Sequence, residues 1–571
     1  MLKPSRGRGG LKCCFLAAAC GMLVAAGAPP PSIQEQPASP APPTPPSKPS
    51  VSTTAEASPA ASVATHYTGG HLSLADVPPP RRFVTRHVTT IRGQKIAFTA
   101  TAEESYVTNI EGEPTGRFFT FSYVKTGTRD PRRPVLFLFN GGPGSSSCWL
   151  QMGAMGPWKA ILDRSVNPSN VPPFGYAANP DSPLDVADLV FIDPVGTGFS
   201  HAAGSTQDSD FAGVDADADS VARFIEGWLQ RNGRFTSPKF VLGESYGGFR
   251  AAMMPRALLG GIRYVGVMRG ITLDGVIVVG APLSTGANSG AAPGIDAGIG
   301  GGALIPGMAI TADYHGGAAT RPEVGARYDQ VSAYVRGPYA DALRRLQAGT
   351  LPQSAQAEVA GRLAAFTGIP AKTWTDKHLV LSPPEYSALA LAGLGLKLGL
   401  YDSRYTLPAA HDGGDFVADD PAMAQYVPGI VAAFQQMIYD KLKVVMPIPY
   451  EAIVWEGVSS RWNNHRVGVA PDQTYGDDLA IAMRRQPQLR VMLMSGYYDL
   501  LATPLAMASS VKAAGLPAER VTLHSYESGH MSYLGGTAAQ FGRDVRQFIV
   551  DTVASRPGAP ASPSSASSDR P

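Results

Sequence analysis

Between residues 134 and 526 the chain alternates short, unbroken apolar runs with stretches patterned at helical spacing. The runs are PVLFLFN (134–140), DLVFID (188–193), KFVLGES (239–245), DGVIVVG (274–280), RVMLMSG (490–496) and VTLHSY (521–526), each closing on or next to Gly, Asn, Asp or Ser. Continuous rather than alternating hydrophobicity predicts strands buried on both faces, as in a largely parallel sheet. Between two of them Val221, Phe224, Ile225, Trp228 and Leu229 recur at helical spacing, behind Asp215, Asp217 and Asp219, which suit a helix N-terminal region. Strands and helices in this alternation place the chain in the α/β class. Upstream, KIAFTATAEESYV and GRFFTFSYVKTG read as β-hairpins leading into the first buried strand.

The rhythm breaks from 285 to 485. That interval opens on the weakly patterned STGANSGAAPGIDAGIGGGA and continues with polar-faced helical segments such as PYADALRRLQ and MAQYVPGIVAAFQQMIYDKL. It is expected to be a helical cap inserted into the sheet domain. The ends differ again: residues 29–70 are rich in Pro, Ala, Ser and Thr, and 556–571 repeat that character (RPGAPASPSSASSDRP). Such segments bury too little apolar surface to offset ordering entropy, so they are expected to be a linker and a disordered tail. They also account for part of a Gly and Pro content of about a fifth, against a usual background of about 12%.

Length alone, 571 residues, allows several domains. The net charge of +2, with no basic block in the interior, gives no sign of a nucleic-acid partner. Three of the four cysteines, Cys13, Cys14 and Cys20, lie in the N-terminal apolar stretch, and only Cys148 lies in the body. A single thiol makes no intramolecular disulfide. The basic start (Lys3, Arg6, Arg8, Lys12) and the apolar run from 13 to 28 have the layout of a secretory signal, short for a bilayer-spanning helix. The expectation is export to the periplasm or medium, with cleavage either near Ala28 or before Cys20. LAAAC resembles a lipobox, in which case a lipidated Cys20 attaches the protein to a membrane.

The chemistry concentrates at strand ends. GESYG fits GxSxG directly after a buried strand and before a helix, a sharp turn whose crowded backbone needs small residues at 243 and 247 to present Ser245. A nucleophilic serine needs a base and a group to orient it. His530, in YESGHMSYLGG, follows the last strand, and Asp499, in MSGYYDLLATPL, follows the one before. The order Ser245, Asp499, His530 is that of α/β-hydrolases. NGGPGSSS (140–147) supplies a glycine-rich turn able to offer a backbone N–H to a developing oxyanion; the expected pair is Gly142 and Tyr246. No GK[ST] or GxGxxG supports a phosphate loop, and no HExxH or Cys/His cluster supports a metal enzyme, so no cofactor or metal is expected.

NGGPGSSS, GAMGPW, FIDPVGTGFS, GESYGG, the Asp499 loop and SGHM occur in the order of the serine carboxypeptidase family, and their wording most resembles its bacterial branch. The resemblance covers most of 130–285 and 485–535. It implies an α/β-hydrolase that removes C-terminal residues from peptide substrates through an acyl-enzyme, with acid-leaning activity, and it implies terminal-carboxylate binding by Asn140 and Glu244. Eukaryotic members read WLNGGPGCSS followed by ExGP. Here Leu138 stands for the Trp, Ser145 for the Cys and Ala154 for the Glu, so the carboxyl pair of that pattern is incomplete. The same triad would serve an esterase or acyltransferase, and a third reading is a non-catalytic binding protein on a hydrolase scaffold. The expected organisation is a signal (1–28), linker (29–70), hydrolase domain in two parts (71–284 and 486–555), cap (285–485) and tail (556–571).

Overall fold

The structure is a computed structural model that describes residues 72–556, apart from 128–129, 163–170, 262–265, 285–300, 318–321, 468 and 471. The signal, the linker, Cys20 and nearly all of the tail lie outside the described residues, as does most of the Gly-rich opening of the cap. The described part begins with an antiparallel meander of β1 (Arg82–Ile91), β2 (Gln94–Thr108) and β3 (Pro114–Lys125). The six apolar runs follow as β4 (Val135–Phe139), β5 (Asp188–Ile192), β6 (Lys239–Glu244), β7 (Gly275–Val279), β8 (Arg490–Gly496) and β9 (Val521–Tyr526). They pair in the order β1-β2-β3-β5-β4-β6-β7-β8-β9, parallel from β5 onward. This is an α/β-hydrolase sheet, with one additional antiparallel strand at its β1 edge.

Every residue of β4, β5, β6 and β7 is buried, which is why these runs carry no polar alternation. The run at β9 departs from the expectation. Thr522 and Leu523 are exposed, Leu523 by 47%, because β9 is the last strand of the sheet and has a neighbour on one side only.

Helix α1 (Val214–Asn232) carries Asp215 and Asp217 in its first turn, the N-terminal region expected for them. It ends on Gly233 at φ 59°, and Trp228 meets Phe137 of β4 edge-on at 5.4 Å. Helix α2 (Tyr246–Leu259) starts at the residue after Ser245. Its Arg250, 1% exposed, forks onto Asp217 of α1 at 2.7 and 2.9 Å and donates to the Asn140 carbonyl at 2.8 Å. Removing one partner of such a buried pair strands the other charge, so Asp217→Ala is expected to cost about 3–5 kcal/mol. A urea midpoint close to that of the unaltered protein would overturn this. The double change Asp217→Leu with Arg250→Met should recover most of the loss.

The inserted region has a core of its own. Helix α3 (Ile305–His315) and the helices Val324–Tyr334, Gln353–Thr367 and Pro383–Ala390 bury Met308, Val331, Leu363, Trp374 and Tyr386 together. Tyr498 and Leu500, on either side of Asp499, join the same cluster. The expected cap is not uniform to 485, however. Helix α4 (Pro421–Asp440) places Phe434 against Phe121 of β3 at 5.5 Å, and its Ile430 and Ala433 bury with the sheet's apolar residues. Helix α5 (Tyr475–Arg485) lies on α2, with Tyr475 stacked on Phe249 at 4.6 Å and Leu479 and Met483 in the core on that face. An apolar face in sequence shows that a helix is packed but not against which layer, so the boundary at 485 runs past two elements of the hydrolase body.

Candidate active site

The Ser245 turn is built by close approach. Ser245 holds φ 58°, ψ −128°, a backbone region costly for a residue with a Cβ and kept only where the surroundings over-determine it. The chain turns so tightly that a Cβ on Gly243 would sit 1.8 Å from the Gly247 carbonyl oxygen. The Ser245 N–H donates to the Val279 carbonyl at 2.8 Å, tying the turn to the end of β7. Ser245 itself remains partly accessible.

The glycine-rich loop after β4 lies against this turn. A Cβ on Gly141 would fall 2.4 Å from the Tyr246 nitrogen, so the loop comes this near only as glycine. Neither the Gly142 nor the Tyr246 N–H has a protein hydrogen-bond partner among the described residues. Two free N–H groups beside the serine are what an oxyanion hole requires. The loop is braced from both sides. Arg250 holds the Asn140 carbonyl, and residues 452–454 pair with it, Val454 N–H donating to Gly144 at 2.8 Å and Ser146 N–H to Ala452 at 3.0 Å. Neither brace was anticipated; a buried arginine four residues into a helix gives only a weak signal. Cys148, just beyond, is buried and free, and burial pushes its thiol far up, away from reactivity.

His530 and Asp499 are brought together at the ends of β9 and β8. His530 Nδ1 lies 2.8 Å from Asp499 Oδ2, while Asp499 Oδ1 accepts the Leu501 and Ala502 N–H groups at 2.7 and 2.9 Å. The imidazole is packed against Gly280, next to Val279, so it shares the β7 corner with Ser245. Its Nε2 is buried and has no hydrogen-bond partner among the described residues, and no hydrogen bond joins it to Ser245 in this structure. Burial alone would lower the His530 pKa, but the Asp499 carboxylate, with Glu244 and Asp420 behind it, holds it above the ordinary 6.5. The cap takes part here too. The Tyr401 carbonyl accepts the His530 N–H at 2.6 Å, and the Tyr401 ring meets the imidazole edge-on at 5.3 Å.

Asn140 and Glu244 are hydrogen-bonded to each other and almost fully buried. Burial pushes Glu244 up to about 7, with His530, Tyr533 and Asn140 offsetting only part of the effect. The Tyr533 hydroxyl donates to Glu244 at 2.7 Å. Sequence reasoning missed this residue, although it stands three positions after His530 and a buried tyrosine needs a partner for its hydroxyl. Ala154 is buried and contributes no polar side-chain atom. Among the described residues no group of three or more His, Cys, Asp or Glu is placed to hold a metal, and no helix is long and apolar enough to cross a membrane.

Residues 94–289 match the family model described as serine carboxypeptidase. Among curated proteins, the pheromone-processing carboxypeptidase KEX1 of Leptosphaeria maculans is 30% identical over 152 residues, 26% of this chain and 22% of that one. Serine carboxypeptidase-like 36 of Arabidopsis thaliana is 28% identical over 149 residues, 26% of this chain and 29% of that one. The chain thus spans less than a third of the length of these relatives. Among solved structures, a putative aryl esterase from Burkholderia cenocepacia aligns with a TM-score of 0.30 at 12% identity, covering 79% of this chain and 99% of that one. Esterase E22 aligns with a TM-score of 0.32 at 13% identity, covering 82% and 100%. The matched segment, about a third of the chain, holds both the glycine-rich loop and the Ser245 turn.

Proposed function

We propose that the protein is a serine-type carboxypeptidase in which Ser245 is the nucleophile, His530 the base and Asp499 the group that orients it. The observation that carries this reading is the His530–Asp499 pair, with Nε2 unpaired among the described residues, at the corner that also anchors the strained Ser245 turn. His530 Nε2 takes the Ser245 Oγ proton as Oγ attacks the scissile carbonyl carbon. The Gly142 and Tyr246 N–H groups bind the oxyanion of the tetrahedral intermediate. His530 then passes its proton to the leaving amine, and an incoming water repeats the sequence to free Ser245. Asn140 and Glu244 are the proposed site for the terminal carboxylate of the peptide, supported by their burial beside the nucleophile and by the protonation that burial favours on Glu244. The N-terminal segment supports export, with a cleaved signal or a lipidated Cys20, through its charged start and short apolar run.

The test is a matched set of a blocked dipeptide, its C-terminal amide and a simple ester. Preference for the free acid is expected. Equal turnover of amide and free acid would replace this reading with an esterase or acyltransferase, and no turnover of any would favour a binding protein.

Two pH limits follow. The base works as neutral imidazole, so ester turnover rises with pH and its acid limb lies above 6.5. Glu244 can donate a hydrogen bond to a carboxylate only while protonated, so preference for the free acid falls as pH rises through about 7. Together these put peptide turnover nearer neutrality than the acid-leaning range implied by the family resemblance. Rate profiles of the ester and the free acid check both limits, and an ester limb well below 6.5 would contradict the first.

A further inference from the structure

The surroundings of Glu244 carry one more step, which rests on the carboxypeptidase reading. Two donors converge on the same oxygen. Asn140 Nδ2 and the Tyr533 hydroxyl both reach Oε2, and Oε1 has no protein hydrogen bond among the described residues. The orientation of the Asn140 amide is itself fixed, because its Oδ1 accepts the Leu150 N–H at 3.1 Å and leaves Nδ2 for Glu244. Tyr533 is held equally firmly. Its ring lies so close over Gly153 that a Cβ there would come within 2.2 Å, and its other side meets Phe541 at 5.4 Å.

An acid oxygen that already accepts from two donors is a poor place for its own proton, which would point at two hydrogens. The proton therefore belongs on the other oxygen. We propose that Tyr533 is a positioning residue that, with Asn140, confines the acid proton of Glu244 to Oε1, the oxygen left to donate to the terminal carboxylate of a peptide. A buried ionised carboxyl would repel that substrate group, and a protonated carboxyl able to turn its hydroxyl to either side would meet it only part of the time. Tyr533 removes the second loss without adding charge, and position 154 supplies only a methyl group.

The other titratable groups facing Glu244 are His530 from the same loop, Asp499 after β8, Cys148 after β4 and Tyr401 from the cap. None of these four is hydrogen-bonded to Glu244 among the described residues; Tyr533 is.

The experiment compares kcat/KM for a blocked dipeptide free acid and its amide, on both sides of pH 7, in the full-length protein, Tyr533→Phe and Glu244→Gln. Tyr533→Phe keeps the ring and removes the donor. The free-acid to amide ratio is expected to fall by about tenfold, through KM more than kcat, as for loss of a hydrogen bond to an ionisable group. In Glu244→Gln the same two donors draw the amide oxygen to the Oε2 position and put the NH2 where Oε1 was. That variant should retain the free-acid preference and lose its decline above about 7. An unchanged ratio in Tyr533→Phe, or loss of the preference in Glu244→Gln, overturns the proposal. If Tyr533→Phe fails to fold, the glutamine variant decides alone. When the unaltered protein prefers the free acid and Tyr533→Phe keeps that preference, only the role of Tyr533 falls. When the unaltered protein shows no such preference, the carboxypeptidase reading falls with it.

Discussion

Ser245→Ala abolishes turnover: kcat on the ester and on the free-acid dipeptide falls by about 10⁶, the size of loss seen when a serine hydrolase loses its nucleophile. The reason is local. Ser245 sits at the turn that the glycine-rich loop lies against, and its N–H is tied to the β7 corner on which His530 packs. The fold should survive the change, because alanine carries the same Cβ at φ 58° and Ser245 Oγ makes no hydrogen bond to another described residue. The urea midpoint is therefore the control, expected to be unchanged while activity disappears. A loss of less than tenfold with the fold intact would remove Ser245 from the mechanism.

Asp499→Asn is the second large effect, about 10⁴ in kcat, and its direction follows from the hydrogen bonds around the carboxyl. Oδ1 accepts two backbone N–H groups, from Leu501 and Ala502, so the asparagine must put its carbonyl there. Its NH2 then faces His530 Nδ1, which must become an acceptor. The ring proton moves to Nε2, the nitrogen meant to receive the proton of Ser245. Geometry is kept and the tautomer is wrong. Removing the carboxylate charge also withdraws the main influence that raises the His530 pKa, so the residual activity should have its acid limb displaced downward. A kcat within tenfold of the unaltered protein would show that Asp499 does not orient the base.

The sheet was legible because burial on both faces leaves a mark that survives without alignment: an unbroken apolar run with a polar or small residue at its end. β4, β5, β6 and β7 follow that rule at every position. β9 was found as a strand but misjudged in burial, since a sequence does not say which strand comes last. At the candidate site, Ser245, Asp499 and His530 could be picked out because each follows the end of a strand, and strand order brings those ends to one edge of the sheet. What sequence could not supply were partners chosen by packing. Tyr533 reaches Glu244 because a glycine lies under its ring, and Arg250 of α2 reaches the Asn140 carbonyl in the loop after β4. Helix α4 shows an apolar stripe but not the layer that covers it.

Residues 400–403 are bonded to the loops that carry Asp499 and His530. Leu500 N–H donates to the Leu400 carbonyl at 3.1 Å, Ser403 N–H to the Tyr498 carbonyl at 3.0 Å, and His530 N–H to the Tyr401 carbonyl at 2.6 Å. A segment wired to the loops of His530 and Asp499, the proposed base and orienting group, cannot be exchanged like a cassette. Grafting a relative's cap onto this sheet would bring new substrate contacts at the expense of the proposed triad, unless these four residues travelled with their own loops. New specificity is thus more readily gained at the outer helices, whose changes leave that seam intact, than by replacing the insertion whole.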